Sequence, residues 1–230
     1  MRWIHLVWLL AGFGVAWLLL TACERAGAGV SANLDATHIA LSYEDSLKNI
    51  FRAAPQWQST GFDFPVGKPD AKNYYNAQAF GENNHLGDDW NGTGGGNSDL
   101  GDPVYSISEG VVTESINYFG GWGNVTRVAH AMIGKFKMEN GELMRDSTAK
   151  DTLFLIESLY AHSQTVMVKR GDFVKRGQQI ATIGTAEGKY LAHLHLEIRE
   201  SAGLPLGGGY SSNTQGHIDP TAFIKRYRKL

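Results

Sequence analysis

The chain has 230 residues, with 21 Lys and Arg against 23 Asp and Glu, and a formal net charge of −2. Nucleic-acid binding as the main task usually needs a strongly basic face, and this balance argues against it. The single cysteine, Cys23, excludes a disulfide framework and a zinc site built from thiolates.

The chain opens with Met1-Arg2 and then runs almost wholly apolar from Trp3 to Leu20, broken only by His5. A secretory signal peptide has this order, although its apolar region is usually about 7–15 residues and this one is longer. Length alone also fits an uncleaved transmembrane anchor, since about 20 apolar residues can span a bilayer. The end of the run, Leu20-Thr21-Ala22-Cys23, resembles the lipobox of bacterial lipoproteins. That resemblance implies cleavage before Cys23 and acylation of its thiol, which would explain an unpaired cysteine in an exported chain. Glu24 follows, and in an organism with two membranes the resemblance implies the periplasmic face of the outer membrane. Residues 1–22 are thus expected to be a lipoprotein signal peptide, and 23–61 a lipid-anchored tether with a short helical region. Within it, Ala26 to about Asn33 is small and polar. Tyr43 to Phe51 has a weak helical period with Leu47, Ile50 and Phe51 on one face, which predicts a short helix stopped before Pro55.

From Phe62 onward the pattern changes to short apolar runs between glycine-rich turns. Strands are expected at Val104–Ile107, Gly110–Thr113, Val125–Ala129, Leu153–Ala161, Gln179–Ile183 and His193–Ile198. The fold class is therefore all-β: a compact antiparallel β-sheet or sandwich-like domain over residues 62–224, with inserted loops and a basic tail at 225–230. Residues left after signal cleavage suffice for one such domain with its own core. Two regions look inserted. Trp90 to Gly101 is glycine-rich and reads as a loop directly after Asp89. Met132 to Asp151 carries Asn140-Gly141, a strong hairpin signal. Either could contact substrate or be solvated decoration. The half-turns Lys169-Arg170-Gly171-Asp172 and Lys175-Arg176-Gly177-Gln178 resemble the hairpin of biotinyl and lipoyl carrier domains, but no lysine sits on a dedicated Met-Lys-Met type turn.

In Ala192-His193-Leu194-His195-Leu196-Glu197-Ile198 a strand would put His193, His195 and Glu197 on one face and the aliphatic residues on the other. Two imidazoles and a carboxylate make poor core material and good metal-site material. Far upstream lies His85-Leu86-Gly87-Asp88-Asp89. Together the clusters offer a His, Asp, His set with one position open, as in hydrolytic zinc sites. Gly87 between His85 and Asp89, with Gly81 and Gly92 flanking, argues for an extended or turned segment there instead of a helix. The first pair alone is weakly specific, because Asp88 could stand in for Asp89.

Taken in order, His85-Leu86-Gly87-Asp88-Asp89, Leu159-Tyr160-Ala161-His162-Ser163 and His193-Leu194-His195-Leu196-Glu197 resemble the signatures of the LytM or lysostaphin-type zinc peptidases, peptidase family M23. Val174-Lys175-Arg176-Gly177-Gln178 and Ile218-Asp219-Pro220 also fit, so the resemblance runs from about Phe62 to Ile224. It implies one Zn2+ per chain held by His85, Asp89 and His195, with His162 and His193 as the catalytic pair. It also implies a zinc-dependent endopeptidase acting on peptidoglycan stem peptides or cross-links. Five strong groups cannot all ligate a tetrahedral ion that keeps a water, which is consistent with two histidines standing outside. His130 is expected to be a strand-end residue or a partner of the ligands, and Glu197 either to orient a ring nitrogen or to form a structural ion pair. The chain departs from the family pattern in lacking an arginine after Phe80-Gly81 and in having Ala192 where proline is usual. Both bear on groove shape. The alternatives are a non-catalytic cell-wall-binding protein or amidase activator, with an amidase as partner, and a peptidase acting on exported proteins or peptides.

Overall fold

The computed structural model describes residues 36–230, so the expected signal peptide, the lipobox and Cys23 lie outside the described residues. No helix among the described residues is long and apolar enough to cross a membrane. The first element, α1 (Ala36–Ala53), begins well before the expected Tyr43 and ends, as expected, ahead of Pro55. Then come β1 (Tyr74–Gln78), β2 (Asp88–Gly92), β3 (Pro103–Tyr105), β4 (Gly110–Asn117) and β5 (Asn124–Gly134). The hairpin β6 (Phe136–Glu139) and β7 (Glu142–Arg145) precedes the long β8 (Thr152–Ser163) and the short β9 (Thr165–Val166) and β10 (Phe173–Val174). The chain closes with β11 (Gln179–Thr182), β12 (Leu194–Arg199), β13 (His217–Ile218) and α2 (Pro220–Arg226). The all-β, antiparallel expectation is correct: every strand pair is antiparallel.

The main sheet runs β1-β2-β12-β8-β5-β4-β10, and β13 pairs with the far half of β12 beyond β2. A small sheet, β3-β11-β9, packs on one face of it. Strand alternation divides the residues between the two faces. Val128, Ile156, Tyr160, Leu194, Leu196 and Ile198 bury one face under the small sheet and α2. On the opposite face, Leu47 and Phe51 of α1 cover Val111, Ala129, Ala131 and Leu155. The rest of that second face carries His195, Glu197 and Arg199, all buried.

Two expectations about the inserted regions need correction. Trp90 to Gly92 are strand, not loop, because β2 pairs with β1 on one side and β12 on the other. The hairpin at Asn140-Gly141 forms as expected, with Asn140 and Gly141 both at positive φ. Yet it serves the core: Phe136 and Leu143 are buried, and Tyr227 donates a hydrogen bond to the Leu143 carbonyl at 2.6 Å.

Candidate metal centre

Sheet register assembles the site. His195 on β12 lies directly opposite Asp89 on β2 and, across the other edge, opposite Ala161 on β8, the residue before His162. Directly opposed side chains on one face are close neighbours. His85 reaches the same place from a bridge to Tyr210. Gly87 makes the approach possible: a Cβ there would lie 2.4 Å from the Leu196 carbonyl oxygen and 3.0 Å from the His195 ring.

His195 Nδ1 lies 2.9 Å from Asp89 Oδ1 and 3.0 Å from His85 Nε2, and His85 Nε2 lies 3.4 Å from Asp89 Oδ1. Among the described residues, His85, Asp89 and His195 form the group of three that could hold a metal ion. Tetrahedral ligands at zinc bond lengths are about 3.3 Å apart, so the donor spacing already matches. The other nitrogen of His195, Nε2, contacts Glu197 Oε1 at 3.1 Å, which leaves Nδ1 free to ligate. Glu197 thereby orients the ring, and it also pairs with Arg199, so the two alternatives left open for it are both realised. Asp88 faces the core, accepting from Thr221 at 2.6 Å and from the Phe80 amide at 3.0 Å, and takes no part.

The electrostatics fit a cation. Burial by itself would raise the Asp89 pKa, but the hydrogen bond from His195 and the nearby histidines hold it below the ordinary range. Burial would lower His195, yet hydrogen bonds to Asp89 and Glu197 outweigh it and raise it to about 9. Burial lowers His85. Two carboxylates flanking His195 thus draw positive charge into the cluster, which a divalent ion could supply.

His162 and His193 stand beside this set, with ring centroids 4.7 Å apart. His162 sits at the end of β8 with φ of 63°, a conformation that turns its ring toward the cleft. Its Nδ1 is 3.3 Å from the Trp122 carbonyl, and His193 Nδ1 is 2.8 Å from the Leu191 carbonyl. A carbonyl only accepts, so each ring carries its proton on Nδ1 and keeps Nε2 for other work. Burial, then the neighbouring His195 and His193, lowers the His162 pKa to about 3. All five expected residues thus line one cleft of about 420 Å³. His130 is not among them. It lies fully buried in the core face, bonded to Glu109 O and Ser158 Oγ.

The sequence reading missed the cleft's aromatic walls, Trp122, Tyr190 and Tyr210. Trp122 follows two glycines and Tyr210 follows three, a pattern of exposed rings on permissive backbone that could have drawn notice. The glycine loop does not line the cleft, although Asn97 within it accepts from the Ala192 amide at 2.8 Å.

The model of "Peptidase family M23" matches residues 148–213. Lipoprotein NlpD of Yersinia enterocolitica is 30% identical over 99 residues, which are 43% of this chain and 78% of that protein. The chain belongs to peptidase family M23. The uncharacterized lipoprotein YgeR of Escherichia coli is 29% identical over 102 residues, 44% of this chain but only 32% of that protein. Among solved structures, the antimicrobial peptidase lysostaphin from Staphylococcus simulans matches at 24% identity with a TM-score of 0.45, covering 67% of this chain and 50% of that one. Within this M23 chain, the residues matched by the family model include His162, His193 and His195 and leave out His85 and Asp89, which reach the site from the bridge to Tyr210 and from β2.

Proposed function

We propose that this chain is a zinc-dependent endopeptidase that hydrolyses peptide bonds in peptidoglycan stem peptides or cross-links. The observation that carries the reading is the convergence of three side chains that could hold a metal ion with two histidines whose Nε2 atoms make no hydrogen bond, that of His193 lying 3.8 Å from Asp89 Oδ1. His85, Asp89 and His195 would hold the zinc ion, which would supply an activated water and an electrophilic contact for the scissile carbonyl. The rest falls to the protein. Glu197 fixes the tautomer of His195. His162 and His193, anchored through Nδ1, take a proton from the attacking water at Nε2 and return it to the leaving amine. When protonated, the same nitrogens donate to the oxyanion. The peptidoglycan substrate rests on family membership. Lipid anchoring through Cys23 is supported by the Leu20 to Cys23 segment and by two relatives named as lipoproteins, and in an organism with two membranes Glu24 after the cysteine supports the periplasmic face of the outer membrane.

Elemental analysis of the purified chain is expected to find near one zinc per wild-type molecule, and little or none in His85→Ala, Asp89→Ala or His195→Ala. Equal metal in wild type and His195→Ala would overturn the ligand set. For the anchor, intact mass of membrane-extracted protein should show acyl mass on a chain starting at Cys23, and none in a Cys23→Ser form. An unacylated wild-type chain still starting at Met1 would favour a transmembrane anchor.

A further inference from the structure

Arg199 is wholly buried, and every nitrogen of its guanidinium is engaged. Nε donates to Glu197 Oε2 at 2.8 Å, and one terminal nitrogen lies 2.6 Å from the same oxygen. The fork also donates to three successive carbonyls, Leu204 at 3.2 Å, Pro205 at 2.9 Å and Leu206 at 2.8 Å. A buried ion pair is by itself weak evidence for stability, since desolvation offsets much of the attraction. The informative feature is what this pair joins. On one side, Glu197 holds the Nε2 of His195. On the other, the gripped segment leads directly into one wall of the cleft. There the Gly207 carbonyl accepts from Trp122 Nε1 at 3.2 Å, the Gly209 carbonyl accepts from the Leu86 amide at 2.9 Å, and the Tyr210 ring lies 5.1 Å from the His85 ring.

We propose that Arg199 is a positioning residue that ties the orientation of the metal-binding His195 ring to the loop forming the cleft wall over His85 and Trp122. The proposal rests on the zinc peptidase reading and deepens it. Arg199 touches neither the donor atoms nor the space a substrate would fill. It acts through Glu197 on one side and through the 204–206 backbone on the other. Only a planar fork with several fixed donors can hold a carboxylate and a run of carbonyls together, so lysine is no substitute here.

A built-in control exists. Arg127 donates to the same Leu204 carbonyl at 2.8 Å, but its carboxylate partners are Glu157 and, at 3.9 Å, Glu114, not Glu197. The test compares Arg199→Lys with Arg127→Lys in two readouts, zinc affinity by chelator competition and amide hydrogen exchange across residues 204–210. Both variants should speed exchange in the loop. Only Arg199→Lys should weaken zinc binding, by about 10–100-fold, the usual effect of losing a partner behind a ligand. Wild-type zinc affinity in Arg199→Lys, or equal weakening in Arg127→Lys, would overturn the proposal. Should Arg199→Lys not fold, Glu197→Gln breaks the link from its other end. It should speed exchange at 204–210 although no loop contact is altered, and unchanged exchange there would contradict the coupling. Exchange recorded without added metal tests the Glu197–Arg199–loop link even if wild type bound no zinc, so failure of the peptidase reading is separable from failure of this one.

Discussion

His130 and His162 are both buried histidines on the central strands, and their surroundings give them opposite roles. The His130 ring is saturated: Nδ1 donates to the Glu109 carbonyl at 2.8 Å and Nε2 meets Ser158 Oγ at 2.7 Å. Burial pushes its pKa down to about 4. A histidine held neutral in the native state, but titrating near 6.5 when unfolded, binds its proton in the unfolded chain first. Its contribution is therefore intact above pH 6.5 and is lost as pH falls toward 4, on the order of 3 kcal/mol in all. Urea unfolding at pH 7 and pH 4.5 should show a larger acid loss in wild type than in His130→Gln, and identical losses would contradict this assignment. His162 is buried too, at 7% exposed against 0% for His130, but leaves Nε2 open to the cleft. The sequence separated the two only through the ordered family signatures. Ring tautomers, carbonyl partners and the positive φ of His162 are products of tertiary structure and left no local trace in the chain.

At the scale of elements, legibility followed pairing. Strands with apolar runs, such as β8 and β12, were readable to within a residue or two. The segment Asp88-Asp89-Trp90-Asn91-Gly92 is polar, and its strand conformation comes from ladders on both sides, so its pattern alone concealed it. Asn140-Gly141 disclosed a hairpin but not its destination, because nothing local announces that Leu143 will pack beneath Tyr227. Helix α1 was legible through Leu47 and Phe51, while its upstream half lacked a clear apolar stripe. Phe51 is wholly buried against the back of the main sheet. Phe51→Ala should cost about 3–5 kcal/mol in denaturant unfolding. Metal content should not change, since α1 supplies no residue to the cleft. An unchanged unfolding midpoint would mean that the helix is not part of the cooperative unit.

For the whole molecule, function depends on how the antiparallel register gathers donors from distant stretches of chain. Asp89 arrives on β2 and His85 from the connection just before it, His162 at the end of β8, His195 at the start of β12 and His193 immediately ahead of that strand. The small sheet and α2 fill one face so that the other can hold a polar cluster without exposing the core. The claim that this cluster performs hydrolysis is tested most directly by digesting purified peptidoglycan with zinc-loaded protein and identifying released peptides by mass spectrometry. Wild type is expected to expose new amines within stem or bridge peptides. His162→Ala and His193→Ala should keep their zinc while losing about 10²–10⁴-fold in rate. Zinc-loaded wild type that releases nothing from chemically varied walls, while stimulating an amidase, would contradict catalysis and establish the chain as a regulator.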